Sequence, residues 1–213
     1  MTTLDLRSRL LAVLLSALAG FVDAIGFLEL GGLFVSFMTG NSTRLGVFVA
    51  EASREALVAV GLIASFVAGV ALGTVIGRAA GGQRRRAILA CVAALLLGAG
   101  ILGILGAASA SALLLALAMG AENAVFEADG EVRVGLTYMT GTLVKLGQRL
   151  AGALTKGPTW GWPLLLLLWL GLVQGAVLGA LAYRALGPAS LWVAAGLAGL
   201  LALTSPPTAP AKP

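Results

Sequence analysis

The hydrophobic positions of this chain fall into six long runs separated by shorter polar stretches. The runs cover residues 10–28, 56–77, 87–106, 109–126, 160–183 and 188–204. Each is close to the ~20 residues that an α-helix needs to cross a bilayer. Four of the six contain no charged residue. This pattern predicts an all-α membrane protein with about six transmembrane helices.

Two further stretches, residues 31–50 and 132–153, are long enough to span but contain polar and charged side chains. If both cross the bilayer, the protein has eight helices in two parallel four-helix repeats. If both instead re-enter the membrane or contain a broken helix, six spans remain. Three spans in each repeat would invert the second repeat relative to the first. We favour this six-span arrangement.

The polar stretches belong to an internal repeat. Residues 19–46 read AGFVDAIGFLELGGLFVSFMTGNSTRLG, and residues 120–147 read GAENAVFEADGEVRVGLTYMTGTLVKLG. The motif FMTG matches YMTG, RLG matches KLG, and Asp23 stands opposite Asn123. We therefore predict one polytopic domain over residues 1–205, with repeat one at 10–106, repeat two at 109–204 and a disordered tail at 206–213.

A second block of the repeat contains paired glycines. Residues 65–78, SFVAGVALGTVIGR, align with residues 171–184, GLVQGAVLGALAYR. Both contain a GxxxG spacing, which lets the backbones of two membrane helices approach closely. We predict that the four glycines pack helices together; they are Gly69, Gly73, Gly175 and Gly179.

The basic residues separate unevenly in the six-span arrangement. With both termini in the cytoplasm, three basic residues fall outside: Arg44, Arg54 and Arg184. The other eleven fall inside: Arg7, Arg9, Arg78, Arg84, Arg85, Arg86, Arg133, Lys145, Arg149, Lys156 and Lys212. This bias follows the positive-inside rule and predicts a multi-pass membrane protein with cytoplasmic termini.

Composition removes several classes of function. Charged residues make up 11% of the chain, and the net charge of +5 lies in residues that flank apolar runs. We therefore expect the lipid bilayer as a partner and no nucleic acid. The chain has no histidine and one cysteine, Cys91, in an apolar run. We expect no metal site, no cofactor, no catalytic residues and no enzymatic activity.

The duplicated polar residues are the candidates for a solute or ion pathway. A chain that leaves helical pairing inside a bilayer must lie against protein or a water-filled cavity, and glycine, threonine and asparagine suit such a break. The candidates are Asp23, Thr39, Gly40, Asn41, Thr43, Arg44, Glu122, Asn123, Thr140, Gly141, Thr142 and Lys145.

Each candidate also has a structural interpretation. The small residues of 36–46 recur at helical spacing, so they could form the packing face of an intact helix. Asp23 could couple ion movement, or it could form an ion pair with Arg44. Lys145 could pair with Glu122 or Glu127 in the second repeat.

The chain resembles the YoaK family of bacterial membrane proteins. The run GFVDAIGFLELGGLFVSFMTGNSTRLG carries the resemblance, which extends over residues 10–204. It implies a polytopic inner-membrane protein and supplies no substrate and no functional residues.

Two hypotheses of function follow. The first is a small-solute or ion transporter or channel, whose pathway is lined by the duplicated FMTGN-like segments; its solute is unknown. The second is a non-transporting membrane scaffold or assembly module. It would join partners, or two copies as a homodimer, through the glycine faces.

Overall fold

A computed structural model describes residues 5–128, 131–132, 134–155 and 161–205. The described chain is almost entirely helical, apart from a two-residue hairpin of β1 (Glu127–Ala128) and β2 (Glu131–Val132). The helices are α1 (Leu6–Glu29), α2 (Met38–Ala50), α3 (Glu55–Ala80), α4 (Arg84–Ile104), α5 (Ala108–Asn123), α6 (Met139–Thr155), α7 (Trp162–Leu186) and α8 (Leu191–Thr204). The predicted all-α membrane fold is confirmed.

Six of these helices correspond to the six apolar runs. Four continuous helical segments are long and apolar enough to cross a membrane, and two of them reach 50 and 43 residues. The 50-residue segment turns at a 3₁₀ element that begins at Gly81, where φ is +52°, and the 43-residue segment turns likewise at Gly187, where φ is +57°. Glycine adopts such positive φ angles without steric cost. Each long segment is therefore two helices.

Helices α2 and α6, called here the short helices, come from the two polar stretches. They contain 13 and 17 residues, or about 20 and 25 Å at a rise of 1.5 Å per residue. The hydrocarbon core of a bilayer is about 30 Å thick. Both short helices are shorter than this thickness.

The paired glycines join helices from opposite halves of the chain. Gly175 and Gly179 of α7 lie directly on the backbone carbonyls of Ala17 and Phe21 in α1. Residue numbers rise together along both helices, so α1 and α7 are parallel. There is no space for a Cβ atom at either glycine.

The second glycine pair makes the same kind of contact. Gly69 of α3 lies on the carbonyl of Leu117, and Gly73 lies against Ala121. Helices α3 and α5 are therefore also parallel. The prediction that these glycines pack helices agrees with both contacts.

Contacts with α4 give the directions of the remaining helices. Arg85 of α4 donates to Ser8 of α1 at 3.1 Å, and Glu29 lies near Gly103 at the other end, so α1 and α4 are parallel. Arg86 donates to the carbonyl of Ser205 at 2.9 Å. Helices α4 and α8 are therefore antiparallel.

The other neighbours of α4 also run against it. Ser111 of α5 donates to the carbonyl of Ala99 at 2.9 Å, while Arg84 reaches the carbonyl of Ala124. Gly77 of α3 lies against Arg84 and Ile88. Helices α3 and α5 are thus antiparallel to α4. One end of the bundle, called here the basic end, contains Arg7, Arg78 and residues 84–86.

These directions decide how the polar stretches run. Helix α1 ends and α3 begins at the end opposite the basic end, so residues 30–54 leave and return on one side. Helix α5 ends and α7 begins at the basic end, so the second connection also stays on one side. These directions favour the six-span arrangement, because the eight-span alternative requires both polar stretches to cross.

Each long helix of the first half runs opposite to its counterpart in the second half. Helices α1, α3 and α4 correspond to α5, α7 and α8 in the sequence alignment, and each pair has opposite directions. The inverted repeat stays a prediction, which these directions support.

Candidate functional site

A glycine pair turns the chain back into the bundle after α1. Gly31 and Gly32 have φ angles of +62° and +110°, which residues with a side chain rarely adopt. The amide of Gly32 donates to the carbonyl of Phe27 at 2.8 Å and closes the turn. The following residues therefore run back along α1 towards the interior.

Asp23 receives this returning segment. One carboxylate oxygen, Oδ1, accepts hydrogen bonds from the backbone N–H groups of Val35 and Ser36, both at 2.8 Å. Asp23 lies six residues before the end of α1, or roughly 9 Å inside the bundle. The carboxylate thus accepts hydrogen bonds from two backbone N–H groups that have no acceptor in a helix or a sheet. A non-helical segment inside a bilayer requires such partners.

Asn41 fixes the same segment from the other side. Its side-chain oxygen accepts from the N–H of Phe34 at 2.9 Å, and its amide nitrogen donates to the carbonyl of Phe34 at 2.6 Å. Asn41 is completely buried. This pair of hydrogen bonds resembles the pair that a neighbouring β-strand would make with Phe34. It positions the first turn of α2.

The second connection has different anchors. Ser16, in the middle of α1, donates its hydroxyl to the carbonyls of Leu136 at 3.3 Å and Leu168 at 3.0 Å. The hydroxyl of Thr137 donates to Oδ1 of Asn123 at 3.3 Å. Residues 134–138 therefore also reach into the bundle, between α1, α5 and α7.

The first residues of the two short helices meet at one cavity of about 240 Å³, called here the central cavity. Equivalent positions of the repeat contribute to its lining: Ser36 and Thr137, Phe37 and Tyr138, Met38 and Met139, and Thr39 and Thr140. Gly141 and Phe66 complete the lining. Two chain reversals from opposite ends of the bundle thus bring the duplicated motif together.

The central cavity receives the N-terminal ends of two helices. The first N–H groups of an α-helix have no acceptor within the helix, and the aligned peptide dipoles place a partial positive charge at this end. Helix α2 begins without a side-chain cap. Ser36, Thr39, Thr137 and Thr140 add hydroxyls to a lining that is otherwise largely apolar.

Three predicted pathway residues line the central cavity: Thr39, Thr140 and Gly141. Gly40 lies beside it, where the rings of Phe34 and Phe37 occupy the space that a Cβ atom would need. Thr43 and Thr142 donate their hydroxyls to carbonyls one turn back, those of Thr39 and Tyr138. Thr43 is exposed and Thr142 is buried, and neither lines the cavity.

The charged candidates do not form the expected ion pairs. Among the described residues, no salt bridge joins Asp23 to Arg44 or Lys145 to a carboxylate. The guanidinium of Arg44 lies against the backbone of Gly32 instead. The Asp23–Arg44 ion pair, one of the two interpretations of these residues, is absent from the described part of the chain, where Oδ1 of Asp23 accepts from the returning backbone.

Glu127 has an arginine partner at the basic end. Its carboxylate is 2.6 Å from Arg84 and 3.9 Å from Arg78, and it accepts from the hydroxyl of Thr74 at 3.1 Å. The Glu127 side chain is only 9% exposed. Lys145 is exposed and serves neither Glu122 nor Glu127.

Glu122 lies in the helix core rather than in the central cavity. It is fully buried, and within the described ranges neither carboxylate oxygen has a hydrogen-bond partner. Asp23, in contrast, borders an apolar groove of about 440 Å³ between α1 and α7, together with Phe27 and Phe34. Neither Asp23 nor Glu122 lines the central cavity. The prediction that these two residues belong to a pathway therefore has no support from a contact with the cavity.

Some residues of the site were not singled out by the sequence. Ser16 was missed, although a serine in an apolar helix is a visible polar exception. Ser36 and Thr137 occupy equivalent positions of the repeat, and that correspondence could have identified them. Phe66 gives no comparable signal, because an aromatic residue in an apolar helix is ordinary.

The glycine faces are occupied within one chain. Gly69, Gly73, Gly175 and Gly179 are all buried between helices of the same molecule. They are therefore not available to join copies, as the assembly hypothesis requires. Among the described residues, no three His, Cys, Asp or Glu side chains converge as a metal site would require.

Comparison with known proteins gives the family. The family described as "Protein of unknown function (DUF1275)" matches residues 11–204. The chain belongs to this family. It is 38% identical to the UPF0700 transmembrane protein RA0705 of Rhizobium meliloti (strain 1021), over 90% of this chain and 82% of that protein.

A second DUF1275 relative confirms the resemblance to YoaK. The UPF0700 transmembrane protein YoaK of Bacillus subtilis (strain 168) is 30% identical, over 72% of each chain. Both relatives are named as transmembrane proteins, in agreement with the apolar helices. No solved structure matches the chain significantly.

Proposed function

We propose that this protein is a channel or transporter for a small polar solute in the bacterial inner membrane. The central cavity is the observation that carries the proposal. Residues from the first turns of both short helices line it, and they come from opposite halves of the chain. Helices that begin inside the membrane and meet near its middle are a recurring plan in membrane transport proteins.

The chemistry of the cavity narrows the kind of solute. Its donors are backbone N–H groups and hydroxyls, and both helix ends place partial positive charge towards it. A cation would face this charge without a carboxylate in the lining to offset it. A neutral or anionic solute with hydrogen-bond acceptors suits the lining better.

We also propose that the basic end faces the cytoplasm. The arginines at 7, 78 and 84–86 lie there, while Arg54 and Arg184 lie at the other end. This distribution follows the positive-inside rule. Both halves would then place a short helix in the membrane from opposite sides, as an inverted repeat does.

Cysteine labelling tests this orientation in a Cys91→Ser background. We expect Gln83→Cys to react with a membrane-impermeant maleimide only from the cytoplasm, and Glu51→Cys only from outside. Exchange of the two sides would overturn the proposed orientation. Labelling of both positions from one side would contradict the helix directions.

A flux measurement tests the transport function. The purified protein is reconstituted in liposomes, and permeability to water, glycerol, urea, formate, chloride and potassium is followed by light scattering or ion-selective electrodes. We expect raised permeability to at least one neutral or anionic probe and none to potassium. If every probe permeates as slowly as in protein-free liposomes while a known channel prepared in parallel works, the proposal is wrong.

Thiol modification assigns the flux to the central cavity. In the Cys91→Ser background, Thr39→Cys and Thr140→Cys place thiols in its lining, and Thr155→Cys places one at the exposed end of α6 as a control. A bulky methanethiosulfonate should reduce flux by about fivefold or more at positions 39 and 140, because it fills the narrow part of the path. Equal inhibition at position 155 would place the pathway elsewhere.

A further inference from the structure

A second cavity lies at the basic end, between α1, α4 and α8. Its volume is about 200 Å³, and two guanidinium groups line it, those of Arg7 and Arg85. The rest of the lining is largely apolar and includes Leu10, Leu14 and Leu201. A pocket with cations at one end and leucines along its wall has the polarity of a lipid at the membrane boundary.

Arg85 is fixed in place and retains an unused donor. Its Nη1 donates to the hydroxyl of Ser8 at 3.1 Å, and its guanidinium carbon lies 5.1 Å from the centre of the Phe126 ring. Its Nε is buried and has no hydrogen-bond partner among the described residues. A buried donor without an acceptor is costly, while the guanidinium group that lines the pocket carries a positive charge that a bound anion would offset.

Arg7 supplies the second charge from α1. Within the described part of the chain it forms no salt bridge, and it is exposed. Asp5 is close enough to interact electrostatically with Arg85, and hydrogen bonds from Ser8 lower the pKa of Asp5. One carboxylate beside two guanidiniums leaves the pocket positively charged.

The repeat provides an internal comparison. The start of α5 corresponds to the start of α1 and lies at the opposite end of the bundle. Helix α5 begins ASASALLL, without a charged residue, and position 108 is alanine where position 7 is arginine. The arginine pair is therefore a property of the basic end and not of the duplicated fold.

We propose that this pocket binds the phosphate of an anionic phospholipid, with an acyl chain against Leu10, Leu14 and Leu201. Guanidinium groups bind phosphate oxygens through paired, charge-assisted hydrogen bonds. Basic pockets between transmembrane helices are typical sites for anionic head groups. The proposal is independent of the central cavity and of any transported solute.

Native mass spectrometry of the delipidated protein tests the site. Phosphatidylglycerol, phosphatidylethanolamine and phosphatidylcholine are added in turn, and retained lipid is counted for wild type, Arg7→Gln, the double variant Arg7→Gln/Arg85→Gln, and Leu14→Trp. The control Arg54→Gln/Arg184→Gln removes two arginines from the opposite end. We expect wild type to prefer phosphatidylglycerol, and the double variant to lose about tenfold or more in affinity.

The variants separate the possible outcomes. Arg7→Gln should weaken phosphatidylglycerol binding without changing thermal stability, because Arg7 supports no described salt bridge; this keeps the test valid if the double variant misfolds. Leu14→Trp should also weaken binding, although it removes no charge. Equal loss in the Arg54→Gln/Arg184→Gln control, or no preference for phosphatidylglycerol, would overturn the site.

A competition arm distinguishes lipid from free phosphate. Inorganic phosphate is added to the protein with bound phosphatidylglycerol. We expect millimolar phosphate to leave the lipid in place, because the leucine wall contributes to its affinity. Displacement at that concentration would show that the pocket recognises the phosphate group alone, and the assignment to a lipid would be wrong.

Discussion

The two connections that lead into the short helices reach the same cavity with different anchors. In the first, a carboxylate binds two backbone N–H groups, and the Asn41 amide adds a bidentate contact. In the second, neutral partners are used: a hydroxyl of Ser16 and a side-chain amide of Asn123. Both short helices begin at the central cavity, although different side chains hold them there. The position of the helix N-terminus therefore matters more than the residues that fix it.

The difference also shows what duplication leaves free to change. The motif that lines the central cavity is nearly identical in both halves, while the supporting residues have diverged. A carboxylate anchors strongly but is expensive to place in a membrane; a neutral amide or hydroxyl is cheaper and weaker. The first connection should therefore be the more stable of the two.

The largest effect should come from the helix pairs that both connections share. Gly175→Leu would force α7 away from the Ala17 carbonyl, and Gly69→Leu would do the same between α3 and α5. Overpacking costs about 1–3 kcal/mol and occasionally more, and we expect the upper end here because the obstructing atoms belong to the backbone. We expect both variants to lose the folded protein in size-exclusion chromatography, whereas Gly46→Leu and Gly147→Leu, with open space around them, remain monodisperse. A folded Gly175→Leu protein would refute this packing.

Removal of the anchors should separate the two connections. Asp23→Ala leaves two buried N–H groups without an acceptor, which should cost about 3 kcal/mol. Asn123→Ala removes two neutral bonds, those to Thr137 and to the carbonyl of Met119, at about 1–2 kcal/mol in total. Thermal unfolding in detergent, followed by tryptophan fluorescence, measures both. Equal losses would mean that the carboxylate gives no advantage over the amide.

The equivalent positions 41 and 142 should differ in the same direction. Asn41→Ala breaks both bonds to Phe34 in a fully buried place, and we expect a loss of about 2 kcal/mol. Thr142→Ala removes a hydroxyl that bonds only within its own helix, so the change should stay below about 0.5 kcal/mol. The same unfolding assay decides, and a larger loss at Thr142 would reverse the comparison.

The smallest effect should come from the ion pairs of Glu127. Among the described residues, only the second connection contains ion pairs. Arg78 is 71% exposed and 3.9 Å from the carboxylate, so Arg78→Gln should change stability by less than about 0.5 kcal/mol. Arg84 is 2.6 Å away and 16% exposed, and Arg84→Gln should cost about 1 kcal/mol or more. Similar melting temperatures for the two variants would contradict this ranking.

Much of the fold could be predicted from the sequence. The six apolar runs gave the long helices nearly to their ends, because length and hydropathy decide what crosses a bilayer. The repeat identified both short helices, and the basic residues favoured the arrangement in which the connections stay on one side. These are properties of local sequence and of simple counts.

The contacts of the site were harder to predict. The sequence allowed an ion pair between Asp23 and Arg44, but the turn at Gly31 and Gly32 places two backbone N–H groups against the Asp23 carboxylate instead. The sequence does not give the distance between the carboxylate and these groups. The spacing of Gly69 and Gly73 indicates a close helix neighbour without naming which helix. The convergence of Thr39 with Thr140 depends on both reversals, so it emerges only from the assembled bundle.

The parallel pairing of α1 with α7 has a consequence for biogenesis. The ribosome releases α1 well before α7, which begins at Trp162 and contacts α1 through Gly175 and Gly179. Until then, the carbonyl-bearing side of α1 has lipid or the insertion machinery beside it. Helix α3 waits a much shorter time for α5. Helix α1 therefore reaches this neighbour late in synthesis, and a chain interrupted before α7 would leave α1 without it.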